Sequence, residues 1–226
     1  MRVRALISGI MASALFGGAF GADARRAAAD EATTKPGKVY SWTFEADTLG
    51  QKPARSVVFG GTWALMADSA DTTRGMKRFL RQTEDDDGVA FHYLNFTRPT
   101  LHDLDASVRF RIVSGEIDPT AGILFQMDRK GTSGYLVRAS GKTNELLFHY
   151  LLYGKRRDVS IAKIEPSDPG AWHTISVSRK GSVLRASYDG SEVMVVRDER
   201  FSKGTVGLWT EDDTIVDFCD LTATTR

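Results

Sequence analysis

Apolar and polar residues alternate along most of the chain, and the alternation is clearest between Leu104 and Val113. In that run one parity is apolar and the other is polar: Leu104, Ala106, Val108, Phe110 and Ile112 against Asp105, Ser107, Arg109 and Arg111. Successive side chains of a β-strand point to opposite faces. The run therefore predicts a strand in a sheet that has one buried face.

Similar runs, separated by turn residues, predict further strands over most of the chain: Val39–Glu45, Thr62–Ala67, Gly75–Thr83, Gly88–Phe96, Ala121–Asp128, Gly134–Ser140, Asn144–Tyr153, Asp158–Ile164, Trp172–Arg179, Ser182–Tyr188, Ser191–Val196, Thr205–Glu211 and Thr214–Thr222. The dipeptide Asp189-Gly190 is a strong signal for a two-residue hairpin turn. Because no helical period follows the first 24 residues, the sequence predicts an all-β sandwich or barrel. The apolar parity of the strands predicts these core residues: Trp42, Phe44, Phe110, Phe125, Trp172 and Leu208.

The N-terminal residues have a different character. Arg2 and Arg4 precede an apolar, glycine-rich run that ends near Phe20, and small residues follow it. This order predicts a secretory signal peptide over residues 1–24, and hence a periplasmic or extracellular protein. The run is shorter than the roughly 20 residues that span a bilayer, so we expect no membrane span. Residues 25–38 are predicted to be a flexible leader, and residues 39–226 the folded domain.

Length and composition favour one folded domain. The chain has 226 residues, of which 42% are hydrophobic, and a formal net charge of +1. That balance offers no concentrated basic field for nucleic acid, and we interpret Lys155-Arg156-Arg157 as a solvated hairpin loop. The single cysteine, Cys219, excludes an intrachain disulfide, and we interpret it as a packed, inert thiol. We expect a monomer.

Several short segments occur in an order that resembles the concanavalin A-like lectin/glucanase superfamily: Trp42-Thr43-Phe44-Glu45, Ala121–Gln126, Gly134–Arg138, Ala171-Trp172-His173 and Gly204–Thr210. The succession is also similar to exported laminin-G-like domains and to 3-keto-disaccharide hydrolase domains (domain of unknown function 1080). The resemblance implies a jelly-roll β-sandwich of two antiparallel sheets, a carbohydrate partner and a ligand site on the concave sheet.

Catalytic motifs give little support for a classical glucanase. Retaining glucanases of the superfamily place paired acids on one strand in the pattern Glu-x-Asp-x-(x)-Glu, so that both flank one glycosidic bond. The sequence lacks that pattern, and it also lacks the Gly-x-Ser-x-Gly elbow of serine hydrolases. None of the four histidines has a metal-type spacing to another, and His149 is interpreted as an ordinary strand residue.

Strand parity predicts which residues form the ligand site that the resemblance implies on the concave sheet. Where one parity is assigned to the core, the other parity predicts a ligand-binding surface made of Gln126, Arg138, Asn144, Tyr150, Trp209 and Glu211. An exposed Trp209 ring would stack on the apolar face of a sugar, and planar polar side chains would bind its hydroxyls. The alternative is that Trp209 fills core space and Arg138 pairs with a nearby acid.

The resemblance also implies a structural calcium site on the convex side, built from the first and last strands. Glu45 and Asp220 occupy the matching positions, and carboxylate oxygens suit calcium. Cys219 stands where a second acid often occurs, and solvated carboxylates are the alternative interpretation. No other cofactor is expected.

Three functions stay open at this point. The leading one is an exported carbohydrate-binding or carbohydrate-processing sandwich. The second is a glycoside hydrolase of the 3-keto-disaccharide type. The third is an envelope structural or protein-interaction module without a sugar ligand.

Overall fold

The computed structural model describes residues 37–67, 78–86 and 90–226. The predicted signal peptide and the leader as far as residue 36 lie outside these ranges, as do parts of the predicted strands at 75–83 and 88–96. The described ranges contain no helix and hold fifteen strands: β1 (Val39–Trp42), β2 (Ser56–Val58), β3 (Trp63–Ala67), β4 (Arg78–Gln82), β5 (Phe91–Phe96), β6 (Leu104–Ser114), β7 (Thr120–Met127), β8 (Gly134–Ser140), β9 (Glu145–Leu152), β10 (Lys155–Lys163), β11 (His173–Lys180), β12 (Val183–Tyr188), β13 (Ser191–Arg197), β14 (Thr205–Glu211) and β15 (Ile215–Thr225).

The strands form two antiparallel sheets, which confirms the all-β prediction. Sheet I has the order β13-β12-β11-β6-β15-β4-β3, and β1 pairs with β15 beside this path. Sheet II has the order β10-β9-β8-β7-β14-β5-β2. Both sheets therefore join strands from distant parts of the chain, and the inner face of each packs on the other.

The main core lies between the sheets and follows the predicted parity on most strands. Phe110 of β6, Phe125 of β7 and Leu208 of β14 are fully buried in it. The prediction that Trp172 is a core residue is wrong. His173 pairs with Phe110 across the strands, so Trp172 takes the opposite parity and reaches the outer face of sheet I. There its ring lies 5.3 Å from the guanidinium carbon of Arg109 and 4.7 Å from that of Arg111.

Most strand positions agree with the sequence prediction, but two local features differ. The three-residue strand β2 is too short to produce a recognisable alternation. Strand β10 begins at Lys155, so Lys155-Arg156-Arg157 is part of a strand rather than a solvated loop. The turn before it is the dipeptide Tyr153-Gly154, in which both residues have a positive φ, of 53° and 76°. Within the described ranges, no helix is long and apolar enough to cross a membrane.

Candidate functional site

Sheet II curves strongly towards its outer face, the face that points away from sheet I. Arg156 of β10 contacts Glu211 of β14 through its guanidinium, although three strands lie between them. In a flat sheet four strand spacings amount to about 19 Å, which is beyond the reach of the two side chains. The contact therefore requires curvature, and we call this outer face the concave face.

A row of four aromatic rings crosses the concave face from β2 to β14. Phe59, just after β2, stacks on Tyr93 with ring centroids 5.2 Å apart and an interplanar angle of 13°. The Tyr93 ring lies 5.1 Å from Trp209, which lies 4.7 Å from Phe91. Phe59, Tyr93 and Phe91 are half-buried. The row therefore presents ring surface to solvent at three of its four positions.

Trp209 lies on the predicted side of the sheet, but the prediction that its ring is exposed is wrong. The residue pairs with Tyr93 and Gly122 across the strands and is 0% exposed. The curvature of sheet II brings other apolar side chains of the concave face over it, and the ring packs in a second apolar cluster with Leu124, Met127, Leu136, Leu151, Phe91 and Tyr93. Its Nε1 has no hydrogen-bond partner in the described part of the chain. Trp209 thus packs against the half-buried rings of Tyr93 and Phe91.

A cluster of charged side chains adjoins the aromatic row, with Arg138 at its centre. Nη1 of Arg138 lies 2.9 Å from the Glu211 carboxylate and 3.0 Å from the Asp118 carboxylate, and it also donates to the Thr120 hydroxyl at 3.0 Å. Arg156 donates to the other oxygen of Glu211. Arg138 and Glu211 are only 6% and 3% exposed. The charges of the two guanidiniums are balanced by the two carboxylates of Glu211 and Asp118.

The position of Arg156 connects the cluster to the aromatic row. Its guanidinium carbon lies 5.0 Å from the centre of the Phe91 ring while its Nη1 is held by Glu211. A cation over an aromatic face is attracted by the ring's quadrupole. Two contacts, one with Glu211 and one with Phe91, therefore hold the guanidinium of Arg156. The side chain stays 24% accessible.

His149 is the second buried polar residue of this cluster. Arg138 Nε donates to His149 Nε2 at 3.2 Å, and His149 Nδ1 lies 2.9 Å from an oxygen of Asp158. Burial, with the nearby charges of Arg138 and Arg156, lowers the pKa of His149 to about 4. The imidazole is therefore neutral at neutral pH, and Asp158 remains 76% exposed at the rim.

Burial also acts on Glu211, whose pKa is raised because desolvation outweighs the lowering effect of Arg138 and Arg156. A raised carboxyl pKa is the property that a general acid requires. The same residue, however, is enclosed by two arginines and has almost no accessible surface. This enclosure suits Glu211 to the role of a fixed structural charge better than to the role of an acid that contacts a substrate.

The structure brings together only some of the six residues that the sequence predicts as a ligand site. Arg138, Glu211 and Trp209 share the concave face. Gln126 donates from Nε2 to the carbonyl of His102, in the loop before β6, at 2.6 Å. Asn144 lies in the turn between β8 and β9 with a φ of 51°. Tyr150 packs against the main core on the other face of sheet II, because it pairs with the core residue Tyr135.

The sequence prediction misses four members of the cluster, namely Asp118, His149, Arg156 and Asp158. Both parities of β9 are rich in apolar residues, so periodicity gives no sign that His149 rather than Tyr150 lies on the concave face. Asp118 precedes β7 in a polar segment that resembles any other loop. The only available signal was register, since a tight β8–β9 hairpin places His149 opposite Leu136, next to Arg138.

The residues proposed for calcium do not form a ligand set of the kind calcium needs. Glu45 lies 3.7 Å from Nε of Arg78, and Asp220 lies 3.3 Å from Nη1 of Arg109, so each carboxylate has a cationic neighbour. Calcium takes about six to eight oxygen ligands. In the described ranges, three potential ligands meet elsewhere: Glu84, Asp86 and His92 place ligand atoms within 4.8 Å of one another. An imidazole in that set suits a transition metal better than calcium.

The chain matches no protein-family model and no curated protein sequence. Its fold is shared with solved structures at low identity. The carbohydrate-binding module CBM66 from Bacillus subtilis has a TM-score of 0.63 and 20% identity, over 76% of this chain and 96% of that one. A Bacillus subtilis protein of unknown function with a galectin-like fold has a TM-score of 0.56 and 12% identity, over 85% and 99%. The exoplasmic/lumenal domain of VIP36, solved with Ca²⁺ and Man3GlcNAc, has a TM-score of 0.54 and 12% identity, over 73% and 83%.

These similarities confirm, at the level of fold, the predicted concanavalin A-like jelly-roll sandwich of two antiparallel sheets. The finer resemblances, to laminin-G-like domains and to 3-keto-disaccharide hydrolases, stay predictions.

Proposed function

We propose that this protein binds a saccharide on the concave face of sheet II. The observation that supports the proposal is the contact between the aromatic row and the charged cluster, made where Arg156 lies over Phe91. Sugars bind to surfaces that offer an aromatic ring for their apolar C–H face and planar polar groups for their hydroxyls. Here an aromatic ring, that of Phe91, and a planar polar group, the guanidinium of Arg156, are in contact.

Each group has a distinct role in this proposal. The partly exposed rings of Tyr93 and Phe91 contact the apolar face of the sugar. Arg156 donates to its hydroxyls, and Asp158, with its carboxylate mostly in solvent, accepts from them. Arg138 and Glu211 act as positioning residues, because Glu211 fixes the guanidinium of Arg156 and is itself held by Arg138. Trp209 packs against both of these rings and holds them in place.

The cellular setting is part of the same proposal. The predicted signal peptide would deliver the domain to the periplasm or the extracellular space, where polysaccharides are available as ligands. The names of two proteins with this fold, a carbohydrate-binding module and a domain solved with Man3GlcNAc, support a saccharide as the ligand.

A glycoside hydrolase of the 3-keto-disaccharide type is the second candidate. The raised pKa of Glu211 favours it, and Asp118 provides a second carboxylate on the same Arg138 nitrogen. Against it stands the enclosure of Glu211, which leaves the carboxyl without access to a glycosidic bond. Binding without hydrolysis is therefore the function that the geometry supports better. In the third alternative, a structural or protein-interaction module, the partly exposed rings would contact a protein instead of a sugar.

The test is glycan-array binding by the full chain, followed by titration of the best ligand with three variants. We expect Tyr93→Ala and Phe91→Ala each to weaken binding at least about tenfold, because aromatic anchors carry much of the energy of such contacts. Tyr40→Ala is the matched control, since this half-buried tyrosine lies on β1 of sheet I. Thermal unfolding of each variant verifies that it is folded. Chromatography of the bound glycan after incubation detects hydrolysis.

Three outcomes would contradict the proposal in different ways. Absence of any glycan ligand would favour the interaction module. Unchanged affinity of both concave-face variants would place the site elsewhere. Cleavage of the glycan, abolished by Glu211→Gln, would favour the hydrolase.

A further inference from the structure

A cavity of about 430 Å³ lies beside the aromatic row, at the end of the concave face where β5 finishes. It is lined by residues from four separate segments: Val57, Phe59, Asn95, Phe96, Thr97, Arg98, Arg129 and Thr205. Phe59 belongs both to this cavity and to the aromatic row. The cavity therefore continues the surface on which the proposed saccharide would lie.

The two arginines that line the cavity differ from most arginines of the described ranges, which are bound to carboxylates or carbonyls. Arg98 and Arg129 are exposed, and neither makes an ion pair or a side-chain hydrogen bond with any other residue in the described ranges. Arginines elsewhere on sheet II, such as Arg138 and Arg156, hold buried carboxylates. Two guanidiniums that no carboxylate of the described ranges neutralises give the cavity a positive potential, in a chain whose net charge is only +1.

Strand direction concentrates this charge at one end of the sheet. Strand β5 leads directly into Thr97 and Arg98, and β7 leads into Asp128, Arg129 and Lys130 at the same end. The other end carries acids instead, because Asp118 precedes β7 and the pair Asp212-Asp213 follows β14. A negatively charged ligand on the concave face would therefore direct its charge towards the cavity.

The loop that carries Arg129 is well positioned by local contacts. Asp128 accepts hydrogen bonds from the backbone N–H and the hydroxyl of Thr132, at 2.8 and 3.0 Å. The Tyr93 hydroxyl donates to the carbonyl of Gly131 at 3.1 Å. Gly131 has a φ of 70° and approaches the Phe59 ring so closely that a Cβ would come within 2.5 Å of it. The loop thus packs on Phe59 through a position that only glycine fits, which keeps Arg129 beside the ring.

The cavity also offers groups for uncharged parts of a ligand. Thr205 contributes a hydroxyl, and Phe59 contributes aromatic surface. Asn95 is buried, donates weakly from Nδ2 to the Asp128 carbonyl at 3.4 Å, and has no partner for Oδ1 in the described ranges. Because Oδ1 is enclosed next to Gly207, Asn95 forms a fixed part of the cavity wall and does not itself meet a ligand.

We propose that this cavity is a subsite for an anionic sugar, one that carries a carboxylate or a sulfate ester. Arg98 and Arg129 bind the anionic group through charge-assisted hydrogen bonds, for which the planar guanidinium is well suited. Phe59 contacts the sugar ring. The inference rests on the proposed concave-face function and names the class of saccharide that this face selects.

The experiment measures the affinity of the full chain for matched pairs of oligosaccharides by calorimetric titration. One pair is a galacturonate oligomer and its methyl ester, and the other is sulfated dextran and dextran, so the two anionic groups are tested separately. The test variant is the double substitution Arg98→Gln with Arg129→Gln. The control variant, Arg157→Gln with Arg197→Gln, removes the same charge from exposed strand positions outside the cavity.

We expect the unsubstituted protein to prefer at least one anionic oligomer over its neutral counterpart by about tenfold, and added salt to reduce the preference. The test variant should lose the preference while its affinity for the neutral oligomer stays the same. The control variant should keep the preference. Loss of the preference in both variants would show non-specific attraction and overturn the inference.

The outcomes separate this inference from the proposed function. Equal affinity for charged and neutral oligomers, with both weakened by Tyr93→Ala, would reject the anionic subsite and support the concave-face proposal. A preference abolished by the arginine variant but unaffected by Phe91→Ala would support the subsite and reject the wider concave-face site. Absence of binding to every oligomer would reject both.

Discussion

Arg138 and His149 share a hydrogen bond that determines the tautomer of the histidine. Arg138 Nε lies 3.2 Å from His149 Nε2, and a guanidinium nitrogen can only donate. His149 Nε2 must therefore be the acceptor, and the proton of the neutral ring is on Nδ1, which faces Asp158 at 2.9 Å. The histidine thus links a buried arginine to an exposed carboxylate at the rim of the concave face.

This arrangement predicts a specific dependence of stability on pH. The pKa of His149 is about 4 in the folded protein and 6.5 in the unfolded reference, so the unfolded chain binds more protons between these values. The free energy of unfolding should therefore fall as the pH decreases from 6.5 towards 4, with His149 contributing at most about 3 kcal/mol.

Urea unfolding at pH 7 and pH 5 would measure the effect, with His149→Gln as the comparison. The glutamine variant should lose less free energy of unfolding between the two pH values than the unsubstituted protein does. Identical losses would show that His149 does not titrate in this range.

Trp209→Ala should destabilise the protein strongly. The ring is 0% exposed and packs among six other apolar side chains, so its removal leaves a cavity. We expect a loss of roughly 3–5 kcal/mol in the free energy of unfolding. Chemical denaturation measures it, and Trp209→Phe should recover a large part. A loss below about 1 kcal/mol would mean that the ring is accessible, as the sequence had suggested.

Tyr153→Asn should stabilise the protein. Tyr153 and Gly154 form a two-residue turn with positive φ at both positions, a conformation that favours asparagine followed by glycine. The tyrosine is 82% exposed, so little packing is lost when it is replaced. We expect a gain of about 0.5–1 kcal/mol in the free energy of unfolding, measured by denaturation.

Leu152→Asn is the control for this prediction. It removes an exposed apolar side chain from the adjacent strand position, where asparagine offers no backbone advantage. It should therefore give no gain. An equal gain from both substitutions would attribute the effect to surface polarity rather than to the turn.

Calcium should not raise the melting temperature. Glu45 and Asp220 each have an arginine within 4 Å, and binding of a cation would have to displace those contacts. Thermal unfolding with calcium chloride and with a calcium chelator would test this expectation. A clear increase with calcium, lost in Asp220→Asn, would restore the convex-side site that the superfamily resemblance implies.

Strand parity predicted the fold well because strands such as β6 have one side that is uniformly apolar. Phe110 and Phe125 were placed in the core on this basis, and the structure buries both completely. Parity failed at β9, whose two sides are both apolar, and so it selected Tyr150 instead of His149. Strand parity also contains no information about the curvature of sheet II.

The curvature of sheet II explains two further errors at the site, at Trp209 and at Arg156. It buries Trp209, which parity alone would expose, and it brings Arg156 to Glu211 from four strands away. Arg156 lies in a basic triplet that has the composition of a solvated turn. No local pattern could connect it to a carboxylate 55 residues further along the chain.

The position of β15 has a consequence for the order in which the molecule folds. Residues 215–225 form the strand that joins β6 to β4 and also pairs with β1, and β14 likewise joins β7 to β5 in sheet II. Contacts between such distant segments form slowly, because a long loop must close before they are gained. During synthesis, β1 to β5 emerge long before the strands that connect them to the rest of their sheets. Neither sheet can therefore be completed until residues 205–225 have been synthesised.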